Sequence, residues 1–128
     1  MTQGSQEKSQ LRVLCIFAHP DDEAFGSGGT LAELVRKGNK VTTVRATNGD
    51  VGEINDPALA TPENLWKVRQ GEMRRAMEVT GISDVRFLGY RDSGMDGTPD
   101  NENPACLFQA DPSKVDAQIA ALLVELKP

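Results

Sequence analysis

Along this chain the apolar positions follow two different periods, and the changes between them mark out the elements. Leu11-Arg12-Val13-Leu14-Cys15-Ile16-Phe17 is nearly continuous apolar sequence over one strand's length. That is the pattern of a β-strand buried on both faces, as in a parallel sheet. Leu31, Leu34 and Val35 then recur at helical spacing, and Gly38 is a natural stop. Lys40 to Ala46, centred on Val41, Thr42, Thr43 and Val44, reads as a second strand. Strand, helix and strand make a βαβ unit, whose crossover is right-handed by rule. Thr61-Pro62 offers an N-cap with proline at the first helical position. Leu65, Val68, Met73, Ala76 and Met77 give that helix an apolar face, which Gly81 ends. Val85 to Leu88 is a third short strand. Tyr90 to Ala110 is polar and rich in Gly, Asp, Asn and Pro, a loop long enough to be functional or disordered. Asp111-Pro112 repeats the cap-then-proline signal before a helix with Val115, Ile119, Leu122, Leu123 and Leu126 as its core stripe.

Strands alternating with helices specify an α/β fold, here a Rossmann-like, three-layer α/β/α domain with a mostly parallel sheet. Residues 1–10 are polar and read as a disordered lead-in, leaving 11–128 as the folded part. The pattern stops on a helix, yet a crossover helix exists to deliver the next parallel strand. In a doubly wound sheet that strand pairs with strand one. The expectation is therefore that 11–128 is the N-terminal part of a longer domain, truncated after the third helix. An open edge on strand one is otherwise a surface for homo-oligomer formation.

Composition narrows the function classes. The 128 residues are enough for one domain with a real core. A net charge of −5 with no basic patch excludes a polyanion-binding surface, so no nucleic acid is expected. Cys15 and Cys106 lie far apart and form no disulfide framework, which suits a reducing compartment. Met1 to Gln10 lacks the apolar core of a signal peptide, and no stretch approaches the ~20 apolar residues of a membrane span. A cytoplasmic protein is the expectation.

The chemistry concentrates in Ala18-His19-Pro20-Asp21-Asp22-Glu23, at the carboxyl end of strand one. Open α/β sheets place their ligand crevice at that end. The cluster holds the chain's one histidine with three carboxylates. His19 and Asp22 can meet one metal ion from a single turn, leaving Asp21 free to act on a metal-bound water. Three crowded carboxylates also favour a cation between them. The plainer alternative is that Asp21 or Asp22 caps the following helix and His19 packs at its start. A catalytic zinc usually has three protein ligands. With no second histidine, the third must be a carboxylate or lie beyond Pro128. The glycine-rich turn Gly26-Ser27-Gly28-Gly29-Thr30 invites a nucleotide-binding reading, but Leu31 stands where a dinucleotide fingerprint needs its third glycine. The acidic cluster before it would also repel a pyrophosphate. Thr47-Asn48-Gly49-Asp50-Val51-Gly52-Glu53 is a further loop at a strand's carboxyl end.

Together these stretches carry a resemblance. Ala18-His19-Pro20-Asp21-Asp22-Glu23 followed by Gly28-Gly29-Thr30-Leu31-Ala32 resembles the signature of the LmbE/PIG-L family of zinc-dependent N-acetylglucosaminyl deacetylases. Asn48-Gly49-Asp50-Val51-Gly52-Glu53, Val68-Arg69-Gln70-Gly71-Glu72 and Arg91-Asp92-Ser93-Gly94-Met95 support it in matching order, from Leu11 to Pro128. The motifs are most similar to the branch acting on mycothiol- and bacillithiol-type conjugates. Gly26, where the thiol-conjugate amidases tend to place lysine, argues against that sub-branch. The resemblance implies that His19 and Asp22 are zinc (Zn2+) ligands and Asp21 the general base on a zinc-bound water. It implies that Arg69 and Asp92 hold sugar hydroxyls, that Glu53 contacts the aglycone side, and that the substrate is a small amino-sugar conjugate. The family's later histidine ligand has no counterpart here, nor do the residues expected near it to polarise the carbonyl and protonate the amine. This chain alone is therefore expected to be inactive. A Rossmann-like metal- or sugar-binding module without a complete active site is the competing reading.

Overall fold

The structure, a computed structural model, describes residues 10–128. Residues 1–9 of the expected lead-in lie outside the described residues. The elements run β1 (Arg12–Phe17), α1 (Asp22–Gly26), α2 (Gly28–Arg36), β2 (Lys40–Thr47), α3 (Leu65–Thr80), β3 (Asp84–Tyr90), a 3-10 turn (Leu107–Gln109) and α4 (Pro112–Leu126). The sheet has the order β1-β2-β3 and both pairings are parallel, with Val13 opposite Val41 and Thr43 opposite Val85. It is an α/β layered fold, as the alternation of periods predicts.

One face of the sheet carries the core. Leu31 of α2, Met73 and Met77 of α3, and Val41, Val85 and Ile82 pack together, with Val13, Cys15 and Phe87 beside them. The opposite face meets α4, where Arg86 Nη1 donates to Glu125 Oε2 (2.9 Å) and Tyr90 Oη to Gln118 Oε1 (2.6 Å). Parallel strands need such cover on both faces.

Four expectations are corrected. Among the described residues the strand buried along its length is β2, from Val41 to Thr47, whereas β1 is only partly buried. β2 is the central strand and β1 the edge of these three, so the most apolar run is not the most covered one. The glycine-rich stretch is helical rather than a turn: Gly28-Gly29-Thr30 opens α2, and only Ser27 separates it from α1. The helix expected from Thr61-Pro62 starts later. Thr61 and its followers form a turn in which Asn64 Oδ1 accepts the Thr61 N–H (2.7 Å), and Leu65 begins α3. Of its expected apolar face Leu65, Met73 and Met77 are buried, but Ala76 is exposed. The α4 stripe is real but not core, since Val115, Ile119, Leu122 and Leu126 are half-buried and Leu123 is exposed. Asp111 does cap α4, accepting the Ser113 N–H (2.9 Å) ahead of Pro112.

Asp84 ties the start of β3 to its neighbours and predicts an acid sensitivity. Arg86 Nε and Nη2 donate to its carboxylate at 2.8 and 3.1 Å, and Thr42 Oγ1 donates at 2.9 Å. The Arg86 hydrogen bonds hold this carboxyl below the usual aspartate value, with the Thr42 hydroxyl adding to them against the opposing effect of burial. A folded-state pKa depressed in this way contributes stability that is present above the unfolded value of about 3.9 and lost as pH falls through the folded one. Asp84→Asn is therefore expected to flatten the loss of denaturation midpoint on acidification below about pH 4. Equal acid losses in parent and variant would count against this.

Candidate active site

Three segments meet at the carboxyl ends of the three strands. The first follows β1, where Thr47, whose N–H and hydroxyl donate to the Ala18 carbonyl (3.0 and 2.9 Å), holds the exit of the strand against β2. The second, after β2, is held by Gln70 Nε2 donating to Asn48 Oδ1 (2.9 Å). The third, after β3, is joined to it by the Asp92 N–H donating to Asp50 Oδ2 (3.1 Å). Arg91 Nη2 donates to Asp100 Oδ1 (2.7 Å) and Asn101 Nδ2 to the Ser93 carbonyl (3.4 Å). The long 90–110 segment is thus folded back on itself beside the site.

His19 lies between two carboxylates. Its Nδ1 is 3.6 Å from Asp22 Oδ2, and its Nε2 is 3.5 Å from Asp92 Oδ1. Asp22 Oδ2 also accepts the His19 N–H (2.8 Å), which fixes the pair within one turn. Asp92 is buried and its Oδ1 accepts the Gly94 N–H (3.0 Å). Asp21 is exposed and its Oδ2 accepts from Arg69 Nη2 (3.0 Å). Neither Asp21 nor Asp22 serves as a helix cap in the ordinary sense. Asp21 occupies the N-cap position of α1, but its side chain accepts no backbone N–H there.

Arg69 reaches the site from α3. Besides Asp21 it donates to the Pro20 carbonyl through Nη2 (2.8 Å) and to the Gly49 carbonyl through Nη1 (3.0 Å). The loop after β2 is shaped around this guanidinium. A Cβ on Gly49 would stand 2.7 Å from Arg69 Cζ, and one on Gly52 would stand 2.8 Å from Nη1. Gly49 also has φ +70°, a left-handed conformation that costs glycine little. Glu53 is exposed and lines a cleft of about 370 Å3 together with Asp21, Arg69, Leu59, Val68 and Glu72. A groove of similar size, lined by Arg12, Asn39, Lys40 and Ser83, lies at the opposite ends of the strands, away from this chemistry.

Charge crowding, one argument for a metal, is weaker than the sequence alone implies. Glu23 is fully buried and ion-paired with the fully buried Arg45 of β2, whose Nε donates to Glu23 Oε2 (3.1 Å). Asp21 is paired with Arg69. Two of the three carboxylates already have a cation, so only Asp22, beside His19, is left for a metal. The sequence counts Glu23 among the three carboxylates but gives it no partner, and it gives Arg45 no role. The available signal was an arginine inside the apolar strand Lys40-Val41-Thr42-Thr43-Val44-Arg45, which has to find a buried counter-charge.

The donors fit part of a metal site. Tetrahedral zinc with bonds of about 2.0–2.2 Å separates adjacent donor atoms by roughly 3.3–3.6 Å. The His19 Nδ1 to Asp22 Oδ2 spacing of 3.6 Å spans one such edge. Among the described residues no group of three His, Cys, Asp or Glu side chains is arranged to hold a metal ion. The pair therefore has the spacing of two corners of such a site.

Comparison with known proteins gives the family. The family model described as PIG-L: GlcNAc-PI de-N-acetylase matches residues 14–128. A 1D-myo-inositol 2-acetamido-2-deoxy-alpha-D-glucopyranoside deacetylase of Geodermatophilus obscurus is 41% identical over 126 residues, covering 91% of this chain and 43% of the relative. Its namesake in Kineococcus radiotolerans is 42% identical over 132 residues, covering 91% and 37%. The chain thus spans about two fifths of the length of these relatives. Among solved structures, the N,N'-diacetylchitobiose deacetylase of Pyrococcus horikoshii superposes with a TM-score of 0.60 at 33% identity, over 71% of this chain and 33% of that one. A 4-carboxy-2-hydroxymuconate hydratase of Pseudomonas putida reaches 0.66 at 22% identity over 93% of this chain and 45% of its own, a likeness of fold alone. No helix among the described residues is long and apolar enough to cross a membrane. With the family model matched from the middle of β1 to Pro128, this chain belongs to the PIG-L family of GlcNAc-PI de-N-acetylase-like proteins.

Proposed function

We propose that this chain supplies the metal-holding and base-bearing part of a deacetylase site, which hydrolyses the acetamide of an N-acetylglucosaminyl conjugate to acetate and a free amine. The observation that carries the reading is the meeting of His19, Asp22, Asp92, Asp21 and Arg69 at one strand end in a chain of this family. His19 and Asp22 would hold a divalent ion, and an imidazole with a carboxylate suits zinc. Zinc, when bound, supplies Lewis-acid polarisation of an acyl oxygen and a water of lowered pKa. With two donors among the described residues, the proposal includes a further donor from outside them.

Asp21 is the base. Its carboxylate is exposed next to the His19-Asp22 turn, and the Arg69 guanidinium donates to Oδ2, which leaves the other oxygen to take a proton. The residues around it position the sugar. Arg69, with donors remaining beyond its three hydrogen bonds, and Asp92, through the oxygen not engaged by Gly94, would bind pyranose hydroxyls. Glu53, at the rim of the cleft shared with Asp21 and Arg69, would meet the aglycone. Fixing the sugar against the base is a proximity contribution. The small donor set also suits a metal- or sugar-binding module without turnover, and acetate release by the natural gene product separates the two.

The test of the site is to titrate the zinc-supplied chain with the substrate named for its relatives, 1D-myo-inositol 2-acetamido-2-deoxy-alpha-D-glucopyranoside, following backbone amide resonances. Shifts are expected at Gly52, Glu53, Arg69 and Asp92. Shifts confined to Asn39 and Ser83, at the other end of the sheet, would contradict it.

A further inference from the structure

Asp21 has a backbone unlike its neighbours. At φ 124° and ψ −23° it lies where a residue with a Cβ is strained. The other positive-φ residue with a side chain among those described is Lys127, at φ 48°, in the ordinary left-handed region. A strained residue persists only where its surroundings over-determine it. α1 does not demand it, since Asp21 makes no side-chain cap there.

The surroundings instead form a connected path from the sheet. The Asp21 N–H donates to Glu23 Oε2 (3.2 Å). The same oxygen accepts from Arg45 Nε (3.1 Å) and is ion-paired with Arg45 Nη2. Arg45 is fixed in turn, with Nη1 donating to the Val44 carbonyl (2.9 Å) and Cζ 5.0 Å from the centre of the Phe17 ring. Both charged side chains are fully buried, so neither can swing into solvent. The Asp21 carbonyl is also engaged, accepting the Ala24 N–H (2.8 Å).

We infer that Glu23, anchored by Arg45, is a positioning residue that draws the Asp21 N–H inward, holds Asp21 at positive φ, and so sets the direction in which its carboxylate leaves the chain beside His19 and Asp22. Its positioning role rests on the proposed role of Asp21 as base. The clamp itself is stereochemical and stands apart from that role. It gives the buried ion pair a purpose beyond stability, because a neutral apolar pair would fill the same space and leave the Asp21 N–H without its acceptor.

The experiment compares two double variants of the full chain by amide hydrogen exchange and by the scalar couplings that report φ. Glu23→Leu with Arg45→Met removes both charges and the acceptor. Glu23→Gln with Arg45→Met removes the charges but keeps an acceptor oxygen. In the leucine variant Asp21 is expected to exchange at least about tenfold faster and move to negative φ, while the Val44 and Thr47 amides stay protected. The glutamine variant is expected to restore slow exchange and positive φ. Slow exchange with positive φ in the leucine variant would overturn the inference. A second comparison needs neither double variant. In the otherwise unchanged chain, Asp21→Gly is expected to melt higher than Asp21→Ala, since both lack the carboxylate and only glycine is at ease at positive φ. Alanine melting as high as glycine would overturn it too. None of these readouts involves turnover, so the clamp and the base role can fail separately.

Discussion

Asp21→Asn is expected to lower acetate release by the natural gene product roughly 10²–10⁴-fold, the usual worth of a general base. The substitution is nearly isosteric. Its amide oxygen can still accept from Arg69 Nη2, now 3.0 Å from Oδ2, so the local structure should be retained. His19 and Asp22 are untouched, and metal affinity should change little. What asparagine lacks is the capacity to take a proton from the attacking water. The measurement is a comparison of turnover numbers at saturating substrate, with metal content determined in parallel. Near-parental turnover at equal metal content would remove Asp21 from the base role.

Glu23→Ala is expected to cost about 3–5 kcal/mol of folding stability, the usual price of leaving a buried charge without its partner. Burial decides the magnitude. In the Asp21–Arg69 pair the carboxylate is exposed and water competes for it, so the pair is expected to contribute only about 0–1 kcal/mol. Arg45 has none: it is fully buried, and burial already pulls its pKa down while Glu23 opposes that pull. Out of a total stability of about 5–15 kcal/mol for a domain, such a loss is large. Glu23→Leu combined with Arg45→Met should recover most of it, because an apolar pair of similar volume costs no desolvation. Denaturant midpoints of the single and double variants read this directly. A loss under about 1 kcal/mol for Glu23→Ala would mean that the pair is solvated after all.

The parts of the fold legible in the sequence are those set by periodicity and by caps. The three strands, the stop of α2 at Gly38 and the Asp111-Pro112 start of α4 follow from local chemistry, and the structure has them. What local chemistry could not rank was burial. β1 is more apolar than β2, yet β2 is the central strand, because position in the sheet decides which strand is covered on both sides. Thr61-Pro62 failed as a helix start because Asn64 offered its own side chain to the Thr61 N–H, closing a turn before α3 could begin. In the site, the His19–Asp22 turn was legible because its members are three residues apart. The contacts of Asp92 with His19 and Asp50, and of Arg69 with Gly49, join segments tens of residues apart. The Asp21 backbone was equally hidden, since the Glu23 that accepts its N–H is itself held by an arginine on β2, more than twenty residues away.

The central claim is that His19 and Asp22 hold a divalent metal beside Asp21, and zinc titration of this chain with a His19→Ala control tests it most directly. The account predicts one-to-one binding that weakens at least about tenfold in the control, since even loss of an outer-shell partner costs about that much. Zinc binding indifferent to the loss of His19 would contradict it.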